Sequence, residues 1–131
     1  MVNWDEAVTE LTAPGAPFEL TEQIVVGTPT KVFAATPNSL RELFGTARMR
    51  GDEPYLVYED ETWTYADLLA QIDGFAHALV HTYGIQPGDR VAIAMRNYPE
   101  WIAAFAAAVS VGAIAVALNA WWVTDELDYG L

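Results

Sequence analysis

The sequence predicts an α/β fold in which an incomplete layer of mostly parallel strands is flanked by helices. The main observation is the order strand, helix, strand over residues 90–118, which is typical of a βαβ unit. A long amphipathic pattern over residues 65–83 predicts a helix before that unit. Of the 131 residues, 53% are apolar and 18% are charged, a balance typical of one ordinary domain with a hydrophobic core and unlike a disordered segment.

Residues 1–36 are predicted to form an N-terminal extension with a possible β-hairpin. A short helix is expected over residues 5–11, followed by a connector rich in proline and glycine. The apolar stretches at residues 24–26 and 31–33 are predicted to be two short strands around a turn. Pro29 lacks the N–H that a strand ladder uses, so we expect it to disturb the hairpin.

The next segment predicts a helix and two strands. Asn38 or Ser39 is expected to cap the helix, and Gly51 can end it. Strands are predicted over residues 55–58 and 62–64, joined by an acidic turn. The apolar positions of the helix have helical spacing: Leu40, Leu43, Phe44 and Ala47.

The following helix has the clearest pattern in the sequence. Thr64 and Asp67 resemble a capping box in which aspartate replaces the usual glutamate, and Gly84 supplies a stop. One apolar stripe runs along it: Tyr65, Leu68, Leu69, Ile72, Phe75, Ala76, Leu79, Val80 and Tyr83.

The βαβ unit begins with an apolar strand over residues 90–95, of the kind that is buried on both faces. Asn97 is expected to cap a helix that ends at Gly112, and a second buried strand covers residues 114–118. A right-handed crossover should join these parallel strands. Thr124 is expected to cap one more helix.

Charge and cysteine content exclude several classes of partner. The chain has 18 acidic and 6 basic residues, a net charge of -12, whereas binding to nucleic acid or anionic lipid needs clustered lysine and arginine. The absence of cysteine excludes disulfides and cysteine-based zinc sites and fits a reducing compartment. The N-terminus shows no secretory signal, so a cytoplasmic location is expected.

Residues 101–123 carry no charge and are long enough to cross a bilayer, so a small single-span membrane protein is an alternative. Three features favour a buried helix followed by a buried strand instead. The segment is rich in alanine, Gly112 interrupts it, and both flanks are acidic rather than basic. No transmembrane span is therefore expected.

No motif in the chain supplies a phosphate site. A phosphate loop needs closely spaced glycines whose N–H groups converge on one anion, often with a lysine. The two nearest glycines are Gly84 and Gly88, and the one lysine, Lys31, is not part of a glycine cluster. We therefore assign no cofactor-binding residue.

Other candidate groups also have structural explanations. Ser110 resembles the nucleophile of a strand–turn–helix elbow, but it lies near the end of a helix and both histidines precede it. His77 and His81 have the spacing of two ligands on one helix face, yet they fall on its polar side without a third ligand. The acidic segments lie at turns and helix starts, where acids are favoured for solvation and for the helix dipole. We assign no catalytic and no metal-binding residue.

The tandem Trp121 and Trp122 follows the last predicted strand. Such a pair can form the wall of an apolar ligand site or a partner surface. We expect packing against parts of the protein that this sequence does not contain.

An ordered series of short motifs resembles the N-terminal subdomain of the AMP-forming acyl-CoA synthetases, relatives of the luciferases and of peptide-synthetase adenylation domains. The match runs from about residue 37 to the end, and Ala117 departs from it where the family often has proline. The segment before it resembles the fatty-acid ligase branch more loosely. The motifs are TWTYADL at 62–68, YGI at 83–85, PGDRVA at 87–92, NYPEW at 97–101, GA at 112–113 and LN at 118–119.

The resemblance implies that residues 37–131 are a truncated N-terminal subdomain of an ATP-dependent fatty-acid or other carboxylic-acid–CoA ligase. Such a ligase uses ATP, magnesium and coenzyme A to form an acyl-adenylate and then a thioester. Its working residues lie beyond the region covered here, so the chain alone is expected to be inactive and to bind none of these cofactors. Its partner would be the remainder of the ligase chain. A stand-alone acyl-binding or regulatory module without catalysis is the alternative.

Overall fold

The computed structural model describes residues 3–131, so the first two residues of the predicted extension lie outside the described residues. The backbone divides into two compact units, unit 1 (Met1–Asn38) and unit 2 (Ser39–Leu131). Unit 1 contains α1 (Trp4–Leu11), β1 (Leu20–Val25) and β2 (Thr28–Phe33). Unit 2 contains α2 (Leu40–Thr46), a 3-10 turn (Ala47–Arg50), β3 (Pro54–Tyr58), β4 (Glu61–Thr64), α3 (Tyr65–His81), β5 (Arg90–Ile93), α4 (Pro99–Ser110), β6 (Ile114–Ala117) and α5 (Thr124–Gly130).

Strands β1 and β2 of unit 1 form an antiparallel hairpin around a two-residue turn. Val26 and Gly27 both have positive φ, at 49° and 81°, as a type I′ turn requires. Pro29 lies opposite Ile24, at a position whose backbone groups point away from the partner strand in a hairpin of this kind. The proline therefore costs the ladder no hydrogen bond, and the expected disturbance does not occur.

The core of unit 2 lies between α3 and α4. Leu68, Leu69 and Ile72 of α3 are almost fully buried against three alanines of α4 that have no exposed surface. Small residues on one helix let the larger side chains of the other approach closely, which gives dense packing from few side chains. The three alanines are Ala103, Ala106 and Ala107.

The expectation of mostly parallel strands is wrong. The described residues form three two-stranded sheets, of which β1–β2 and β3–β4 are antiparallel and β5–β6 is parallel. Short turns join the strands of both hairpins, and a short turn can connect neighbouring strands only in antiparallel order. The α/β class holds, since α4 connects β5 to β6 as a βαβ unit.

The expectation that β5 and β6 are buried on both faces is also wrong. On the covered face Ile93 is 4% exposed, whereas Ala92 and Ile114 on the opposite face are exposed. In a parallel pair, residues in register share a face, so the exposed Arg90 and the half-buried Val116 belong to this face as well. We call Arg90, Ala92, Ile114 and Val116 the open face of the β5–β6 sheet.

In unit 2, the helices that begin with a side-chain cap start at the residues that the sequence predicted. Ser39 caps α2, and the capping box of Thr64 and Asp67 starts α3. Two predicted caps are displaced by one residue. Tyr98 rather than Asn97 precedes α4, where Pro99 fixes the first turn, and Val123 rather than Thr124 precedes α5.

At the start of α5, the Glu126 carboxylate accepts a hydrogen bond of 3.0 Å from the Val123 N–H. Valine offers no oxygen in return, so this is half of a capping box.

Every helix within residues 3–131 falls short of the length or the hydropathy that a bilayer-spanning segment needs. The uncharged stretch proposed as a possible span divides into the 12-residue helix α4 and the strand β6. The single-span alternative therefore has no helix to support it in the described part of the chain.

Candidate functional site at the carboxyl end of the parallel strands

A crevice lies beyond the carboxyl ends of β5 and β6. In open α/β sheets this is the edge where ligands bind, because the loops that follow the strands leave a gap between them. Here the two loops are residues 94–98 and 118–123, and a cavity of about 460 Å³ opens between them.

The most specific contact in the crevice joins Arg96 to Trp121. The guanidinium carbon of Arg96 lies 3.9 Å from the centroid of the indole ring, within the range of a cation–π interaction. The contact holds a positive charge over an aromatic face, although Trp121 remains 70% exposed. Each residue follows a different strand, so the β5–β6 pairing brings them together.

Asn119 fixes the loop that carries the indole. Its side-chain oxygen accepts a hydrogen bond of 3.0 Å from the backbone N–H of Trp121. Its backbone oxygen accepts one of 3.1 Å from the backbone N–H of Trp122. The Leu118 N–H donates to the Ile93 oxygen at 3.0 Å, which extends the pairing beyond β6. The turn after β6 is therefore held at three points.

The remaining wall comes from the start of α4. Trp101 lines the crevice and stacks on Phe105, with ring centroids 5.5 Å apart and an angle of 7° between the planes. Met95 and Asn97 complete this side. The wall is therefore mainly aromatic and apolar, with one amide.

The crevice has the chemistry of a binding wall. Its lining contains one guanidinium, two side-chain amides and two indoles, and it contains no carboxylate, histidine, serine or lysine. Such a lining can hold a planar or apolar group and pair with one negative charge. It supplies no nucleophile and no general acid or base that works near neutral pH.

The two tryptophans singled out in the sequence have different environments. Trp121 lines the crevice, whereas Trp122 is half-buried against α5. A Cβ placed on Gly130 would lie 2.6 Å from the Trp122 ring, so this glycine leaves room for the indole. Trp121 thus has the surroundings of a ligand wall, and Trp122 has those of a packing residue.

The other residues considered in the sequence are not brought together. Ser110 is the last residue of α4 and lies apart from the crevice. His77 and His81 are exposed on α3 with their ring centroids 4.4 Å apart. In residues 3–131, no group of three or more histidine, cysteine, aspartate or glutamate side chains is placed to hold a metal ion.

Sequence reasoning missed Arg96, Asn97 and Asn119 as members of this crevice. The available signal was positional, because all three follow directly after strands of the predicted βαβ unit. Polar residues at the carboxyl ends of parallel strands are candidates for ligand contact in any α/β fold. The cation–π contact itself depends on the register between β5 and β6, which the residue pattern leaves open.

The comparisons with known proteins agree with this architecture. Residues 43–131 match the family described as "AMP-binding enzyme". The acyl-CoA ligase sidI of Aspergillus fumigatus is 42% identical over 83 residues, which cover 62% of this chain and 14% of that protein. The medium/long-chain-fatty-acid–CoA ligase FadD6 of Mycobacterium tuberculosis is 38% identical over 104 residues, which cover 76% of this chain and 17% of that protein.

Solved structures show the same fold. The O-succinylbenzoate-CoA synthetase of Bacillus subtilis in complex with its acyl-adenylate intermediate matches with a TM-score of 0.62 and 31% identity, over 73% of this chain and 24% of that one. The anthranilate CoA ligase AuaEII matches with a TM-score of 0.67 over 73% of this chain and 19% of that one. At 23% identity, this second match shows the fold alone.

The chain belongs to the AMP-binding enzyme family. The two relatives named above are acyl-CoA ligases, and the chain corresponds to an N-terminal part of the adenylate-forming fold. The chain spans less than a fifth of the length of the curated relatives named above.

Residues 3–131 do not form a binding site for the nucleotide or the magnesium ion that such ligases use. The described residues offer no glycine-rich turn with a lysine for the phosphates of a nucleotide, and no cluster of ligands for magnesium. The one uncompensated cation of the crevice, Arg96, can pair with a single negative charge. No step of a reaction is therefore assigned to a residue of this chain.

Proposed function

We propose that the chain is part of an ATP-dependent ligase that joins a fatty or other carboxylic acid to coenzyme A in the cytoplasm. In the whole enzyme, the acid would attack the α-phosphate of ATP and release pyrophosphate, and the thiol of coenzyme A would then displace AMP. The observation that carries this proposal is the family match over residues 43–131, together with the activities named for the relatives.

Within that enzyme, residues 37–131 would be a truncated N-terminal subdomain and residues 1–36 an extension in front of it. The crevice at the ends of β5 and β6 would form one wall of a ligand cavity, completed by the remainder of the ligase. Its aromatic lining and single guanidinium support this role. Catalytic, nucleotide-binding and metal-binding groups would come from the remainder.

The test compares the 131-residue chain with the longest product of the same reading frame. Both are assayed for pyrophosphate exchange into ATP with a series of straight-chain and aromatic carboxylic acids. We expect exchange from the longer product and none from the 131-residue chain, because this chain lacks a phosphate loop. Exchange by the 131-residue chain, or no exchange by a longer product that contains such a loop, would refute the proposal.

A matched pair of variants of the longer product tests the crevice. Trp121→Ala should raise the KM for the acid or for coenzyme A, because it removes an aromatic wall. Tyr129→Ala is the control, since it removes another aromatic side chain that does not line the crevice. Equal effects of the two substitutions on both KM values would contradict a role for the crevice.

A further inference from the structure

A second cavity of unit 2, of about 580 Å³, lies apart from the crevice at the strand ends. It is a cleft lined by α2 with its 3-10 turn, by α3 and by the end of α4, together with the turn at residues 85–87. The two cavities share no lining residue. Its volume falls within the usual range for small-molecule sites in proteins.

The floor of the cleft is apolar. Leu69 and Ile72, which are 6% and 3% exposed, form its base, since the same side chains belong to the α3–α4 core. Val80 extends the floor along α3 and is still 37% exposed, and Phe44 closes it on the side of α2. Apolar surface is therefore left open to a ligand beside a rigid base.

The rim carries two guanidinium groups and one carboxylate. Nη2 of Arg48 donates hydrogen bonds of 2.7 and 3.0 Å to the two carboxylate oxygens of Asp73, so these two charges compensate each other. Among the described residues, no carboxylate lies within ion-pair distance of Arg41. One positive charge is thus left over beside the cleft, on a chain whose net charge is -12.

The helical face that carries these arginines is open in the middle. Arg41, Phe44, Gly45 and Arg48 all line the cleft and have the spacing of one helix face. A Cβ placed on Gly45 would meet no atom within 4 Å. The missing side chain therefore keeps the space between Arg41 and the apolar floor free.

We propose that this cleft binds an amphiphilic monocarboxylate, with its carboxylate on Arg41 and its apolar body on the floor formed by Ile72 and Val80. A guanidinium presents a planar fork of N–H donors that matches a carboxylate, and the floor removes the apolar body from water. The cleft offers one uncompensated cation, so it suits a ligand with a single negative charge better than a polyanion. The proposal does not depend on the ligase assignment, because it is argued from the charges and the exposed surface of the cleft and from no relative.

The first experiment titrates the ¹⁵N-labelled 131-residue chain with octanoate at constant pH and ionic strength. We expect saturable shifts of backbone amide signals confined to the cleft, such as those of Gly45, Asp73 and Val111. Octan-1-ol has the same chain without the charge and should bind at least about tenfold more weakly, as should octanoate to Arg41→Gln. Absence of saturable shifts, or equal binding of acid and alcohol, would overturn the proposal.

A matched pair of glycine substitutions tests the location. Gly45→Leu fills the cleft, whereas Gly74→Leu adds the same side chain to α3 outside it, and both positions have open space around the Cβ. Both changes replace a helical glycine by a better helix former, so both variants should keep the fold. Octanoate should fail to bind Gly45→Leu and should bind Gly74→Leu as it binds the original chain. Equal binding to the two variants would overturn the assignment to this cleft.

Discussion

Gly112, at the junction of α4 and β6, is a position in unit 2 where a side chain would be unfavourable for two reasons. Its φ is +83°, and a Cβ there would lie 3.2 Å from the Cβ of Pro87. Its carbonyl oxygen accepts a hydrogen bond of 2.9 Å from the Gly88 N–H, which ties the turn before β5 to the turn before β6. A side chain therefore meets a left-handed backbone and a close neighbour at once.

We expect Gly112→Ala to lower the free energy of unfolding by about 1–3 kcal/mol, the usual cost of a strained backbone combined with overpacking. Urea denaturation followed by tryptophan fluorescence measures the change. Gly74→Ala is the control, because Gly74 lies in α3 with nothing within 4 Å of its Cβ. It should raise the free energy of unfolding by up to about 1 kcal/mol through helix propensity. Shifts of the same sign in both variants would contradict this explanation.

Among the helices, α3 has the best-defined start. The Thr64 hydroxyl accepts a hydrogen bond of 3.1 Å from the Asp67 N–H and donates one of 2.7 Å to the Asp67 carboxylate, which also accepts one of 2.9 Å from the Thr64 N–H. The bond from the hydroxyl and then that from the backbone N–H lower the pKa of Asp67 below its usual range. The two hydrogen bonds to the carboxylate are therefore strongest while Asp67 is ionised.

We expect Thr64→Ala to lower the free energy of unfolding by about 1 kcal/mol at pH 7, the usual cost of losing an N-cap. Because the pKa of Asp67 is lower in the folded chain, its contribution is present above the unfolded pKa, about 4, and is lost as the pH falls through the folded value. The difference between the two proteins should therefore shrink below about pH 4.

Urea denaturation at pH 7 and at pH 3 measures that difference. Thr62→Ala, in the neighbouring strand β4 at an exposed position, serves as a control whose effect should not change with pH. A Thr64→Ala effect of the same size at both pH values would show that the Asp67 carboxylate does not take part.

The elements that the sequence predicted best are those specified by local chemistry. Ser39, Thr64 and Asp67 use their own side chains as caps, so the helix starts were visible in the residue pattern. The strands were located as well, and both the β1–β2 hairpin and the parallel β5–β6 pair were predicted. The general expectation of mostly parallel strands failed, because short turns join two of the three described pairs in antiparallel order. Asn97 was a reasonable cap by type, yet Pro99 sets the first turn and moves the cap to Tyr98.

The crevice could not be predicted without knowing how the strands pair in the tertiary structure. Arg96 and Trp121 are separated by the whole of α4, and only the parallel pairing of β5 with β6 places one over the other. The burial of β5 was overestimated for a related reason. An apolar strand indicates that burial of its side chains is favourable. It does not show that the residues able to bury them lie in the same segment of the chain.

At the scale of the whole molecule, the open face of the β5–β6 sheet should promote association. Ile114 on this face is 50% exposed, and parallel strands are normally covered on both sides. We expect the sedimentation coefficient of the chain to rise with protein concentration, and Ile114→Lys to reduce that rise. Thr62→Lys adds the same charge at an exposed position outside this face. Concentration-independent sedimentation of the original chain, or equal effects of both substitutions, would contradict the expectation.

The position of the core along the chain also bears on synthesis at the ribosome. Every side chain of the α3–α4 cluster, including the partly buried ones around it, lies between Phe44 and Ala107. Contacts that are local in sequence form early, and a nascent chain folds from its N-terminal part onwards. The core can thus close before β6 leaves the exit tunnel, so that β5 is already anchored when its partner strand emerges.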